Sequence, residues 1–150
     1  MTAIPVFRQP AATEVRRLVE SAGLPAEDLE EADLAHFFGC GARDRPHGVV
    51  GLELLGSLAL LRSLAVDAVA RGSGSGRALV AAAEQHARGH GVGSIYLLTT
   101  TATEFFERLG YAQLDRQAVP PAIQRTREFG DLCPASAVLM VKHLAPPSST

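Results

Sequence analysis

The chain has no tryptophan, only 5% aromatic residues, two methionines and two cysteines. Cys40 and Cys133 are far apart and show no C-x-x-C spacing, so neither a disulfide framework nor a cysteine metal site is expected. Long apolar runs are also missing. Stretches such as residues 58–61 and 138–141 fall far short of a membrane span. No basic run is present and the formal charge is −2, which argues against a broad nucleic-acid footprint. The first ten residues, MTAIPVFRQP, hold two prolines and show no signal-peptide pattern, so a cytoplasmic protein is expected. No internal repeat is visible. What remains is 150 residues with 47% hydrophobic content, enough for one domain with a real core. A single domain is expected over residues 1–145, with a disordered tail at 146–150.

The most informative stretch is 58–79, LALLRSLAVDAVARGSGSGRAL. It reads as an apolar strand, a glycine-rich turn and the start of a helix. Arg71, Gly74 and Gly76 give the pattern R-x-x-G-x-G, with Gly72 as a further glycine. Residues without a Cβ let a ligand approach the main chain. The helix that follows aims its unpaired N–H groups and positive dipole end at the same point. Together these predict a phosphate or pyrophosphate site. A P-loop is excluded, because no Lys-Ser or Lys-Thr follows the glycines. A dinucleotide fingerprint is excluded too, since Arg77 or Leu79 occupies the last glycine position in either register.

The rest of the chain supplies a frame. Residues 4–8 read as a strand, and Val15, Leu18, Val19 and Ala22 form one helical face ended by Gly23. Residues 25–34 read as a short acidic helix. Strands are predicted at 35–42, 48–55 and 58–66, with 43–47 as a turn in which Pro46 stops pairing. A helix over 76–88 and a strand over 94–100 complete a βαβ crossover. A short helix follows at 103–109, then a strand at 113–117, a helix at 122–132 and a last strand at 135–144. Hairpins followed by strand, loop and helix make an α+β arrangement.

The glycine pattern resembles the acetyl-CoA pyrophosphate loop of the GNAT N-acetyltransferases. Phe105, Phe106, Gly110 and Tyr111 resemble that superfamily's F-Y-x-x-x-G-F segment, at the expected distance beyond the loop. A narrower resemblance, over GLELLGSLALLRSLAV, YLLTTTATEFFERLGY, PPAIQRT and LCPASAVLM, is to the small arsenic-resistance N-acetyltransferases of bacterial arsenic operons. The resemblance implies a GNAT fold: a mixed central sheet of about six or seven strands, flanking helices and a βαβ acetyl-CoA-binding core. It implies acetyl-CoA as cosubstrate and no metal. The pyrophosphate would lie against Arg71, Gly72, Ser73, Gly74, Ser75, Gly76 and Arg77, and the pantetheine arm would pair with Leu64, Ala65 and Val66 as the strands on either side splay. Phe106 stands where the superfamily often has a tyrosine that protonates the leaving thiolate, and phenylalanine cannot donate that proton.

Acetyl transfer to an amine needs a proton acceptor. Glu53 is the first candidate, as the only acid in the 48–66 hairpin, sharing a sheet face with Gly51 and Leu55; Glu104 and His36 are weaker ones. Arg62 and Ser63, in an apolar run, and Thr99 and Thr100, at a strand end, are candidates for binding substrate. Arg62 has a competing role, an ion pair with Glu53 across the hairpin. Arg43, Arg116 and Arg125 are looser candidates, and Cys133 reads as a buried small residue. The expected acceptor is a small amine, an amino acid or an amino-acid-like toxin such as arsinothricin or phosphinothricin. The alternatives are a peptide or protein amine, or a non-catalytic acyl-CoA-binding module. A homodimer is possible through residues 135–144.

Overall fold

The computed structural model describes residues 4–24, 31–70, 72–126, 129 and 136–144. Seven strands form one mixed sheet in the order β1-β2-β3-β4-β5-β7-β6. The first four are β1 (Val6–Arg8), β2 (Phe37–Ala42), β3 (Arg45–Leu55) and β4 (Leu58–Val66), all antiparallel neighbours. The strand β5 (Ser94–Thr99) runs parallel to β4, joined to it through helix α2 (Ser75–Gly89). Helix α3 (Thr103–Arg108), strand β6 (Ala112–Leu114) and helix α4 (Pro121–Gln124) precede β7 (Val138–His143). Helix α1 (Ala12–Ser21) follows β1.

Alternation along the strands sorts side chains onto two faces. On one face Leu52, Ala59, Leu61, Ile95, Leu97 and Met140 pack against Leu79, Val80, Ala83 and Ala87 of α2 and Phe106 of α3. On the other, Phe37, Val49 and Ala65 meet Val15, Leu18 and Val19 of α1, while Leu60, Tyr96 and Leu139 meet Ile123 of α4. Two phenylalanines of this second face lie across glycines of the neighbouring strand. A Cβ on Gly39 would come within 2.7 Å of Phe7, and one on Gly51 within 2.2 Å of Phe37.

Several sequence expectations are corrected. Pro46 does not stop pairing: β3 begins at Arg45, and Pro46 faces Gly41 beside a bulge, where an edge irregularity spares its missing N–H. Ala22 is exposed and caps α1, which Gly23 closes with φ +73°. The strand expected over 113–117 is only β6, because Asp115 caps a 3₁₀ turn at 116–118. The helix expected over 122–132 has one turn in α4, and residues 130–132 lie outside the described ones. Of the acidic segment, 25–30 lies outside them as well, and 31–36 is a 3₁₀ turn. The tail at 146–150 is likewise not described. β7 pairs with β5 along its length on one side and with β6 through residues 139–141 on the other.

Candidate functional site

β4 ends at Val66, a 3₁₀ turn follows at 68–70, and residues 72–74 turn into α2. Gly74 is the helix N-cap with φ +90°, a left-handed backbone that disfavours any side chain. The helix's first backbone bond runs from Ala78 N to the Gly74 carbonyl, so the N–H groups of Ser75, Gly76 and Arg77 point out of the helix end. No acidic residue sits in that first turn. The turn is braced from behind. Ser75 is buried, and its Oγ lies 2.8 Å from Ser73 Oγ and 3.1 Å from His47 Nε2 on β3. Beside it, burial pushes the Cys40 thiol pKa up, the opposite of a reactive thiolate. Gly76 serves a different purpose from Gly74: a Cβ there would stand 3.2 Å from the Phe105 ring of α3. The two sequence motifs thus touch. Arg77 is exposed at the rim, and Arg71 lies outside the described residues.

The second feature is a divergence of strands. β4 pairs with β5 only through Leu58, Ala59 and Leu60, opposite Ser94, Ile95 and Tyr96. Beyond Leu60 the two parallel strands separate, while β4 stays paired with β3 as far as Val66. Within this stretch β4 carries an extra residue. Gly51 faces Arg62 and Val49 faces Ala65, and Ser63 takes φ +59°. This is a bulge, which breaks the ladder locally and re-aims the backbone at Ser63 and Leu64. Nothing in the sequence announced it beyond a polar Arg-Ser pair in an apolar strand.

Glu53 and Arg62 share the face opposite α2, between the α1 and α4 clusters. Arg62 Nη1 donates to Glu53 Oε1 at 3.0 Å, with the Arg62 side chain 4% exposed and that of Glu53 30% exposed. Arg62 Nε donates to Ser63 Oγ at 3.1 Å, so one guanidinium ties the carboxylate to the bulge. Of the two readings of Arg62, the ion pair with Glu53 is the one present in the structure. Thr99 Oγ1 accepts the Ala102 N–H at 3.0 Å and turns the chain into α3, whereas Thr100 is exposed.

The aromatic candidates are settled by burial. Phe106 is 5% exposed and packs edge-on against Phe105 and Tyr111. The Tyr111 hydroxyl donates to Glu84 Oε2 at 2.9 Å, and burial followed by that carboxylate's charge pushes its pKa far up. Tyr111 is thereby kept as a neutral structural donor. Other candidates lie apart from the cleft. Glu104 is exposed, 3.9 Å from Arg108. Arg43 lies over the Phe7 ring, and Arg116 bonds the Ala137 carbonyl. Arg125 is exposed, and Cys133 falls outside the described residues. His36 sits beside His86, at the far end of α2.

A family model for the acetyltransferase (GNAT) family matches residues 8–111. An N-acetyltransferase of Chlorobaculum tepidum, CT2212, is 40% identical over 68 residues, which is 45% of this chain and 43% of the relative. The N-acetylglutamate synthase of Neisseria gonorrhoeae, solved with coenzyme A and N-acetyl-glutamate, superposes with a TM-score of 0.81 at 17% identity. That match covers 97% of this chain but only 36% of the synthase. Rv2747 of Mycobacterium tuberculosis, solved with CoA and a second ligand, gives 0.76 at 23% identity over 94% of this chain and 99% of that one. At these identities the structural likeness is one of fold. The chain spans less than half the length of the curated relative it matches.

Proposed function

Because this chain belongs to the GNAT acetyltransferase family, we propose that it transfers an acetyl group from acetyl-CoA directly to the amino group of a small acceptor. The observation that carries this reading is the coupling of two features on one strand. β4 loses its β5 partner after Leu60 and then leads, through the 3₁₀ turn at 68–70, to the α2 glycine turn. A pantetheine arm laid along Leu64, Ala65 and Val66 fills the opened edge as an added strand. Its pyrophosphate then falls on the N–H groups of residues 72–77, with Arg77 at the rim. Phe106 packs behind the arm as an apolar wall.

The bulge at Ser63 and Leu64 gives the acyl end its place. Backbone N–H groups there polarise the thioester carbonyl and stabilise the oxyanion as the amine adds. Nitrogen attacks the carbonyl carbon, the C–S bond breaks, and the amine's proton passes to Glu53 directly or through water. The thiolate takes its proton from solvent, since Phe106 and Tyr111 are both unsuited to supply one. Holding the two reactants in line contributes roughly 7–11 kcal/mol at best, which is why few chemical groups are needed.

The acceptor is proposed to be an amino acid or a close analogue. Arg62, Ser63, Thr99 and Thr100 border the gap, and an arginine matches a carboxylate in two-pronged fashion. Arg62 is already held by Glu53, so an acceptor's carboxylate and ammonium would meet the pair as its complement. The synthase whose fold this chain shares was solved with an N-acetylated amino acid, which supports the same class. A second reading, a non-catalytic acyl-CoA binder, draws on the buried phenylalanine at the position of the acid.

The deciding experiment is coenzyme A release from acetyl-CoA with separate additions of glutamate, other amino acids, arsinothricin, phosphinothricin, polyamines and a lysine peptide. Release with amino acids supports the proposal, and release with the arsenic or phosphorus analogues alone supports the narrower, arsenic-resistance role. Release with the peptide alone would replace the acceptor class. Binding of acetyl-CoA without release from any of them would favour the binding module.

A further inference from the structure

Three imidazoles meet at the C-terminal end of α2, about 20 Å along the 15-residue helix from the glycine turn. His86 of α2 and His90, which caps its C-terminal end, stand one turn apart, with ring centroids 4.4 Å apart. His36, the last residue of the 3₁₀ turn before β2, has its ring centroid 5.2 Å from His86 and 5.7 Å from His90. His36 Nδ1 and His86 Nε2 are 3.0 Å apart. Two nitrogens facing each other at that distance cannot both carry a proton. About 3 Å is also the separation of two imidazole nitrogens that each bind one zinc ion at roughly 2.0–2.1 Å. The His86 ring is held in place by the edge of Phe38, 5.2 Å away between centroids.

The third ring is oriented by its own helix. His90 Nδ1 lies 3.0 Å from the His86 carbonyl, so it donates, and the lone pair is left on Nε2. A backbone carbonyl that fixes the tautomer in this way is the usual outer partner of a metal-binding histidine. The negative end of the helix dipole favours a cation at this position. The Arg8 guanidinium, bonded to the Ala35 carbonyl nearby, opposes one. Among the described residues no three metal-ligating side chains are already converged on one point. His90 is exposed, and its ring must swing toward the other two about its Nδ1 bond to the His86 carbonyl to complete the set.

We propose that His36 Nδ1, His86 Nε2 and His90 Nε2 form a surface site for a borderline transition-metal dication such as Zn²⁺ or Ni²⁺, with water in the remaining positions. All-imidazole ligation suits these ions and not Mg²⁺ or Ca²⁺. The ion would clamp the start of β2 to the end of α2 and has no part in acetyl transfer.

The test is calorimetric titration of the tag-free full chain with ZnCl₂ and, separately, NiCl₂, with MgCl₂ as control. The expected result is one zinc or nickel per chain with a Kd on the order of micromolar and no magnesium binding. His36→Gln, His86→Gln and His90→Gln should each weaken binding by at least about tenfold, as loss of a ligand or even of its supporting partner does. Each variant's cooperative melt in the absence of metal serves as the check of folding. No saturable zinc or nickel binding by the wild-type chain overturns the site. Unchanged affinity in any one of the three folded variants overturns the three-ligand assignment.

Discussion

Gly74 and Glu53 carry the two most direct tests at the scale of single residues. Gly74 holds φ +90° at the head of α2, so an aspartate there is strained and also places a negative charge on the proposed anion site. Gly74→Asp should lower CoA affinity at least tenfold in a calorimetric titration; full-strength binding would remove the proposed pyrophosphate site. Glu53→Gln keeps the shape of the side chain and deletes its charge. It should leave CoA affinity intact and shift the pH–rate profile so that the loss of rate is greatest at low pH, where the amine is most protonated. A wild-type profile would dismiss Glu53 as proton acceptor. Both residues were legible in the sequence, one as a turn glycine, the other as a lone acid in an apolar hairpin. The Arg62 partner was legible only as one of two options, because strand register decides whether residues nine apart in sequence meet.

Within elements, the β2–β3 pair shows how glycine and phenylalanine are matched across strands. The Phe37 ring lies over Gly51, and a methyl group there would stand 2.2 Å from it. Gly51→Ala should therefore destabilise the fold by about 1–3 kcal/mol, the usual cost of overpacking. Urea unfolding measures the loss, and Phe37→Leu combined with Gly51→Ala should recover part of it, since the two sites share one volume. Elements with strong periodicity were readable in advance. β4 occupies exactly the predicted residues 58–66, and α2 exceeds its predicted span by one residue at each end. β6 and α4 were expected at these places but too long, because where a short segment stops is set by what it packs against and not by its own pattern.

Across the whole molecule, a buried polar cluster ties three separate parts together. Glu84 on α2 accepts from the Tyr111 hydroxyl and from Lys142 Nζ on β7, which also donates to the Leu109 carbonyl. The Tyr111 pKa is raised in the fold, so the unfolded chain loses that proton first as the solution becomes alkaline. The stability contributed by this group is complete below pH about 10 and is lost progressively above it. Tyr111→Phe should flatten that alkaline loss when thermal unfolding is followed from pH 8 to 11. An unchanged difference between variant and wild type across this range would show that the hydroxyl is not protected as described.

The sequence alone determined the order of the elements, the glycine turn at the head of α2 and the resemblance to acetyl-CoA enzymes. These rest on local periodicity, on glycines with a backbone task, and on spacing along one chain. Only the tertiary structure decided that β5 leaves β4 after Leu60, that β7 inserts between β5 and β6, and that Ser63 sits in a bulge. It alone brought Glu53 to Arg62, Phe105 to Gly76 and His36 to His86. Each of these depends on which strands become neighbours and in what register. That choice is made by burying two sheet faces at once, and no single segment of sequence encodes it.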